Sequence, residues 1–117
     1  MNEPNFNKRT MLYRTKNGKK RRKNFIVAII VDFRTKEVLM QAFMDKVSFG
    51  KTKETGFVHL WSFSRNELWL KGETSGNKLV VKNMALDCDG DCLKIEVEVL
   101  GEGKVCHTGE RTCFFDV

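Results

Sequence analysis

The sequence is short of three things that would point elsewhere. Proline occurs once, at Pro4, so no helix or strand beyond it is broken by a residue lacking a backbone N–H. No apolar run approaches the roughly 20 residues that cross a bilayer. The N-terminus is polar and basic, without the hydrophobic stretch of a secretory signal. A membrane partner is therefore not expected. A cytoplasmic location is, and thiols stay reduced there. Histidine occurs twice, and no two of the four cysteines form a CxxC pair. The paired knuckles of structural zinc sites are missing with it. There is no internal repeat and no low-complexity segment.

What is present is an ordinary globular composition. The chain has 117 residues, 41% hydrophobic and 31% charged, enough for one domain with its own core. The net charge of +6 is unevenly placed. Residues 1–23 carry nine Lys/Arg against the single acid Glu3, while the remainder holds 12 basic and 14 acidic residues. Residues 1–23 thus read as a basic, solvated N-terminal arm, and 24–117 as the folded domain. An arm that binds anions, either nucleic acid or substrate phosphates, is the sharper alternative. The near-neutral body makes nucleic acid an unlooked-for partner.

Phe25–Asp32 (FIVAIIVD) is β-branched and almost wholly apolar, the pattern of a buried strand. Arg34-Thr35-Lys36 reads as a turn into a second strand over Glu37–Phe43. Asp45 is placed to cap a short helix ending near Thr55, with Gly56 as its stop. Phe57–Phe63 and Glu67–Lys71 form a further hairpin pattern turning at Ser64-Arg65-Asn66, and Lys78–Leu86 and Cys92–Leu100 are two more strands. About six strands with one short helix predict a β-rich α+β domain.

Asp87–Phe115 holds all four cysteines, three aspartates at alternate positions and one histidine. If Asp87–Asp91 is extended, Asp87, Asp89 and Asp91 share a face that continues as Leu93, Ile95 and Val97. Carboxylates crowded on a core-facing surface repel and take up protons unless a hard cation holds them, and oxygen-only ligation suits Mg²⁺ or Ca²⁺. A solvated acidic turn is the plain alternative. An EF-hand loop is excluded, because its sixth position, counted from Asp87, is Cys92 and not glycine. Cys88, Cys106 and Cys113 would leave a fourth position open to water on a catalytic zinc; buried free thiols are the alternative. Cys92 suits packing. His107 can act as a ligand, as a proton carrier or as a satisfied polar residue. His59, in an alternating strand, reads as structural. The loop KGETSGN (71–77) is too polar for core and rich in groups that could face a phosphate.

In order and spacing, LWLKGETSGN, ALDCDGD and CHTGERTCFF, supported by TGFVHLWSFSR, resemble phosphoribosyl-AMP cyclohydrolase of histidine biosynthesis over about Val27–Phe115. The resemblance implies a cyclohydrolase domain over 24–117 that opens the adenine ring of 1-(5-phosphoribosyl)-AMP by zinc-activated water, giving the formimino aminoimidazole carboxamide ribotide. It implies zinc on Cys88, Cys106 and Cys113, magnesium on Asp87, Asp89 and Asp91, and His107 as the catalytic proton carrier. It further implies a homodimer in which Cys88 of one chain joins Cys106 and Cys113 of the other. Trp61, Ser62, Ser64, Arg65, Lys71, Glu73, Thr74, Ser75, Gly76 and Asn77 are the candidates for contact with the nucleotide substrate. Where the family commonly reads SRSR, this chain has Ser62-Phe63-Ser64-Arg65, losing one basic residue. Thr35-Lys36 also lacks the family's turn glycine. The competing readings are a zinc-stabilised nucleic-acid-binding module that uses the arm, and a cyclohydrolase-like fold without activity.

Overall fold

The computed structural model describes residues 3–117. The apolar run forms the central strand β3 (Ile26–Asp32), between β4 (Val38–Met44) on one side and β8 (Cys92–Val99) on the other. β5 (His59–Ser62) and β6 (Glu67–Leu70) extend the β4 edge, and β7 (Leu79–Leu86) lies outside β8. The result is a curled, mixed sheet in the order β6-β5-β4-β3-β8-β7, in which only β3 and β8 run parallel. With Val27 and Ile29 half-buried on its other face, β3 buries one face completely through the alternate residues Ile26, Ala28 and Ile30. They meet Leu39, Met44, Leu60, Leu79, Ile95 and Val97 in one core.

The helix α1 (Lys46–Thr55) has the boundaries its end residues dictate. Asp45 accepts from the Ser48 amide at 2.8 Å while the Ser48 hydroxyl accepts from the Asp45 amide at 2.9 Å, a reciprocal cap that satisfies two end donors. Gly56, in the left-handed region at φ 79°, closes the other end by donating to the Thr52 carbonyl. Gly50 sits inside the helix without breaking it, and any side chain added there would meet open space. Thr52 ties α1 to the sheet, since its hydroxyl accepts from the His59 amide at 2.9 Å. His59 is otherwise occupied locally, with Nδ1 2.9 Å from the Phe57 carbonyl.

Two expectations change. The segment read as a solvated arm is folded: β1 (Thr10–Arg14) and β2 (Lys20–Asn24) pair antiparallel as a ribbon. Partners across an antiparallel pair share a face. Tyr13 with Arg21 and Met11 with Lys23 therefore lie on one side of the ribbon, Leu12 with Arg22 on the other. The first side docks. Tyr13 packs edge-on against Phe63 with ring centroids 6.0 Å apart, and Phe63 is itself ringed by Phe25, Phe43 and Trp61. Lys23 lies 3.7 Å above the Trp61 ring and pairs with Asp45 at 3.0 Å. The position that breaks the SRSR pattern is thus the aromatic socket of the ribbon.

The second change concerns Asp87–Asp91, which is not extended. Gly90 adopts φ 76° and donates to the Asp87 carbonyl, so the segment is the tight turn joining β7 to β8. The shared strand face derived from alternation does not exist there, although Leu93, Ile95 and Val97 do form the buried face of β8 downstream. Lys36, in the Thr35-Lys36 turn that lacks glycine, takes φ 66°. The left-handed backbone costs a non-glycine residue about 1 kcal/mol or more, and the ion pair of Lys36 with Glu96 offsets part of it.

Candidate active site

The turn at Asp87–Asp91 gathers the three carboxylates by another route than the one predicted. Oxygen atoms of Asp87, Asp89 and Asp91 all lie within 4.8 Å of one another. Burial works against ionising Asp87, but backbone N–H groups of Cys92, Asp91 and Gly90 point at it and hold its carboxyl below the ordinary range. Three oxygen donors at this separation fit a hard divalent cation such as Mg²⁺. Two side chains from the N-terminal segment already address them. Arg9 Nε lies 3.0 Å from Asp91 and Lys8 Nζ 3.5 Å from Asp89, while the Asn5 amide donates to the Gly90 carbonyl at 2.7 Å. Neither cation was legible from the sequence, because a pairing across some 80 positions leaves no local signal.

The second group lies on the long return after β8. Arg111 fastens it by pairing with Asp32 and Glu37 at the β3–β4 turn. The Thr112 hydroxyl donates to Val38, and the Cys113 amide donates to Leu39 at 2.7 Å. The loop closes on itself through the Cys106 amide to the Glu110 carbonyl and the Gly109 amide to the Cys106 carbonyl. Cys106 is thereby turned inward and His107 outward. The Thr108 hydroxyl donates to Cys106 Sγ at 3.2 Å. That hydrogen bond, with the Thr108 amide and smaller help from Cys113 and Lys71 against burial, lowers the Cys106 thiol below its usual range. Burial and the neighbouring Cys106 push Cys113 the other way. Lys71 is buried beside both, donating to the Val105 carbonyl. Its burial lowers its titration, and the charges of Cys113 and Cys106 resist that shift. One thiolate-forming cysteine and a second beside it are sulfur ligands of the kind zinc takes, with the Lys71 ammonium favouring the thiolate form.

Cys88, the third thiol of the expected set, is not local. Cys88 is exposed in the β7–β8 turn, at the end of the sheet where Val27 pairs with Cys92. Cys113 hangs from Leu39, about four residues along the strands, or roughly 13 Å. Among the described residues the three cysteines form no single cluster, and the aspartates form the only grouping with metal-ligand spacing.

Two adjoining clefts of about 270 and 310 Å³ share Arg65, Trp69, Lys71 and His107. The first adds Glu73, Thr74, Ser75 and Asn77; the second adds Ser62, Ser64 and Cys113. Most of the nucleotide candidates therefore converge on His107. Trp61 and Gly76 line neither cleft: Trp61 lies under Lys23, and Gly76 donates to the Gly72 carbonyl inside its turn. Asn77 is buried and spends its side-chain oxygen on the Glu102 amide at 2.7 Å. A further cavity, of about 920 Å³, lies between the N-terminal segment and α1, and no thiol or imidazole lines it.

The 71–77 loop depends on Gly72, at φ 84°, where a Cβ would stand 2.3 Å from the Asn77 carbonyl oxygen. Backbone strain and a main-chain clash combine there. Gly72→Ala is expected to destabilise the fold by about 3 kcal/mol, lowering Tm by roughly 10 °C. A thermal melt of the purified variant checks this, and an unchanged Tm would show that the loop is slack.

Known proteins place the chain on the same ground. The family description "Phosphoribosyl-AMP cyclohydrolase" matches residues 40–115. The chain is 52% identical to the phosphoribosyl-AMP cyclohydrolase of Clostridium botulinum over 96 residues, covering 82% of this chain and 86% of that protein. It is 50% identical to that of Sulfurisphaera tokodaii over 90 residues, 77% of this chain and 75% of the relative. With that extent of match running through β4 to the thiol loop, the chain belongs to the phosphoribosyl-AMP cyclohydrolase family.

Proposed function

We propose that the chain opens the adenine six-membered ring of 1-(5-phosphoribosyl)-AMP by metal-dependent hydrolysis, a step of histidine biosynthesis. The proposed zinc ligands are Cys106 and Cys113 of one chain and Cys88 of a second copy; the proposed magnesium ligands are Asp87, Asp89 and Asp91. The observation that carries this reading is the placing of His107 beside the paired thiols, in clefts lined by the 62–65 and 71–77 segments.

When bound, zinc lowers the pKa of a coordinated water to about 7 and so provides hydroxide at neutral pH. The chain's own groups do the rest. Thr108 and Lys71 favour the thiolate of Cys106. Trp69 offers an aromatic wall to a purine ring. His107, exposed at the cleft, carries a proton between the attacked ring carbon's nitrogen and solvent. Arg65, Thr74 and Ser75 orient the ribose phosphates with guanidinium and hydroxyl donors, while the Glu73 carboxylate, which only accepts, faces the ribose hydroxyls. A cytoplasmic setting with reduced thiols suits this chemistry.

The test combines metal analysis with an absorbance assay for ring opening. Zinc near one per chain with turnover is expected in the unaltered protein. Cys106→Ala is expected to fall below a tenth of that zinc content and to lose at least about 10³-fold in kcat. Full turnover in the variant would sink the zinc reading.

A further inference from the structure

The docked ribbon brings its own cations to the edge of the active-site clefts. A cavity of about 390 Å³ is walled by Tyr13, Thr15, Lys16, Arg21, Arg65 and Glu67, among others. Arg65 lines this cavity and both clefts that contain His107, so the three spaces meet at one guanidinium. Three of its walls are cationic and one is anionic.

The ribbon is held firmly enough for its side chains to have an address. Five paired positions define its register, Tyr13 sits in the aromatic socket at Phe63, and Asn66 donates to the Arg14 carbonyl at 3.1 Å. Arg21 shares the docked face with Tyr13, whereas Arg22 opposes Leu12 on the other face. Lys23, on the same face, is already committed to Asp45 and Trp61. Arg21, Lys16 and Arg65 have no carboxylate partner among the described residues. Unpaired guanidinium groups facing one concavity with hydroxyl and amide neighbours are the chemistry that grips a phosphate dianion.

We infer that the ribbon supplies a phosphate subsite, in which Arg21 and Lys16 join Arg65 to hold one of the substrate's two phosphate monoesters. This rests on the proposed substrate and makes the N-terminal ribbon part of its binding surface. Phe63 then has a constructive role: it gives up a charge at its own position and anchors a ribbon that brings others.

The measurement is steady-state kinetics on phosphoribosyl-AMP for the full chain, Arg21→Ala, Lys16→Ala with Arg21→Ala, and Arg22→Ala, with Tm recorded for each. Loss of charge-assisted phosphate contacts is expected to raise KM about ten-fold in Arg21→Ala and further in the double variant, with kcat within about two-fold. Arg22→Ala, on the opposite face, is expected to leave KM within about two-fold. An unchanged KM in the double variant at wild-type Tm overturns the subsite. If the unaltered chain shows no turnover, the proposed reaction fails instead. Calorimetric titration with inorganic phosphate then decides the subsite alone: affinity weakened by Arg21→Ala supports it, and affinity equal to wild type overturns it.

Discussion

Mixing and refolding a Cys88→Ala chain with a Cys106→Ala chain is expected to restore about a quarter of wild-type turnover, although each variant alone is inactive. The expectation follows from where the thiols lie. Cys106 and Cys113 are in contact on the return after β8, whereas Cys88 projects from the β7–β8 turn at the other end of β3. Among the described residues of one chain the three thiols do not come together. In a two-fold dimer with shared ligands, each site takes Cys88 from one chain and Cys106 from the other. A mixed dimer therefore has one doubly damaged site and one intact site, and random mixing makes about half of all dimers mixed. Continued inactivity of the mixture, with mixed dimers demonstrated by mass, would defeat the shared-site reading.

His107→Asn is the second large effect: kcat is expected to fall about 10²- to 10⁴-fold with KM little changed. Cys106 turns inward because its amide and carbonyl are tied across the loop to Glu110 and Gly109, and this sends the next side chain out into the clefts. Its neighbours there are Arg65, Trp69 and Lys71 together with the thiols of Cys106 and Cys113. A proton-carrying role therefore predicts zinc content equal to wild type and partial rescue of kcat by free imidazole. A kcat within about three-fold of wild type would remove His107 from the chemistry, and a parallel loss of zinc would make it a ligand.

The parts of this molecule that were legible in the sequence are those whose causes are local. Asp45 and Gly56 bracket α1 because a capping carboxylate and a left-handed glycine act within one helical turn. The six strands of the main sheet announce themselves by β-branched and alternating residues. The ribbon did not, because nine basic residues hide a pattern whose inward side sets only Met11 and Tyr13 among the cations Arg21 and Lys23. Its stability comes from Phe63, some fifty positions away. The aspartates were grouped correctly and for the wrong geometric reason, since Gly90 turns the chain where an extended strand was assumed. Thr108 stood in plain view inside CHTGERTC, yet its bond to Cys106 depends on a loop closure that no short spacing rule describes. Lys71, read as a phosphate donor, is packed against Trp69 and the thiols, because the return after β8 folds over it.

The single parallel pairing sets the order of events during synthesis. β3 emerges early and can zip with β4 through a short turn, but its other edge waits for β8, as the pairing of Val27 with Cys92 requires. Until then an apolar strand edge is open to neighbouring chains, and closing so long a loop is slow. The nascent chain is consequently most prone to aggregate between the release of β4 and the arrival of β8. On a ribosome, translation through residues 45–92 is the interval in which a chaperone has most to shield.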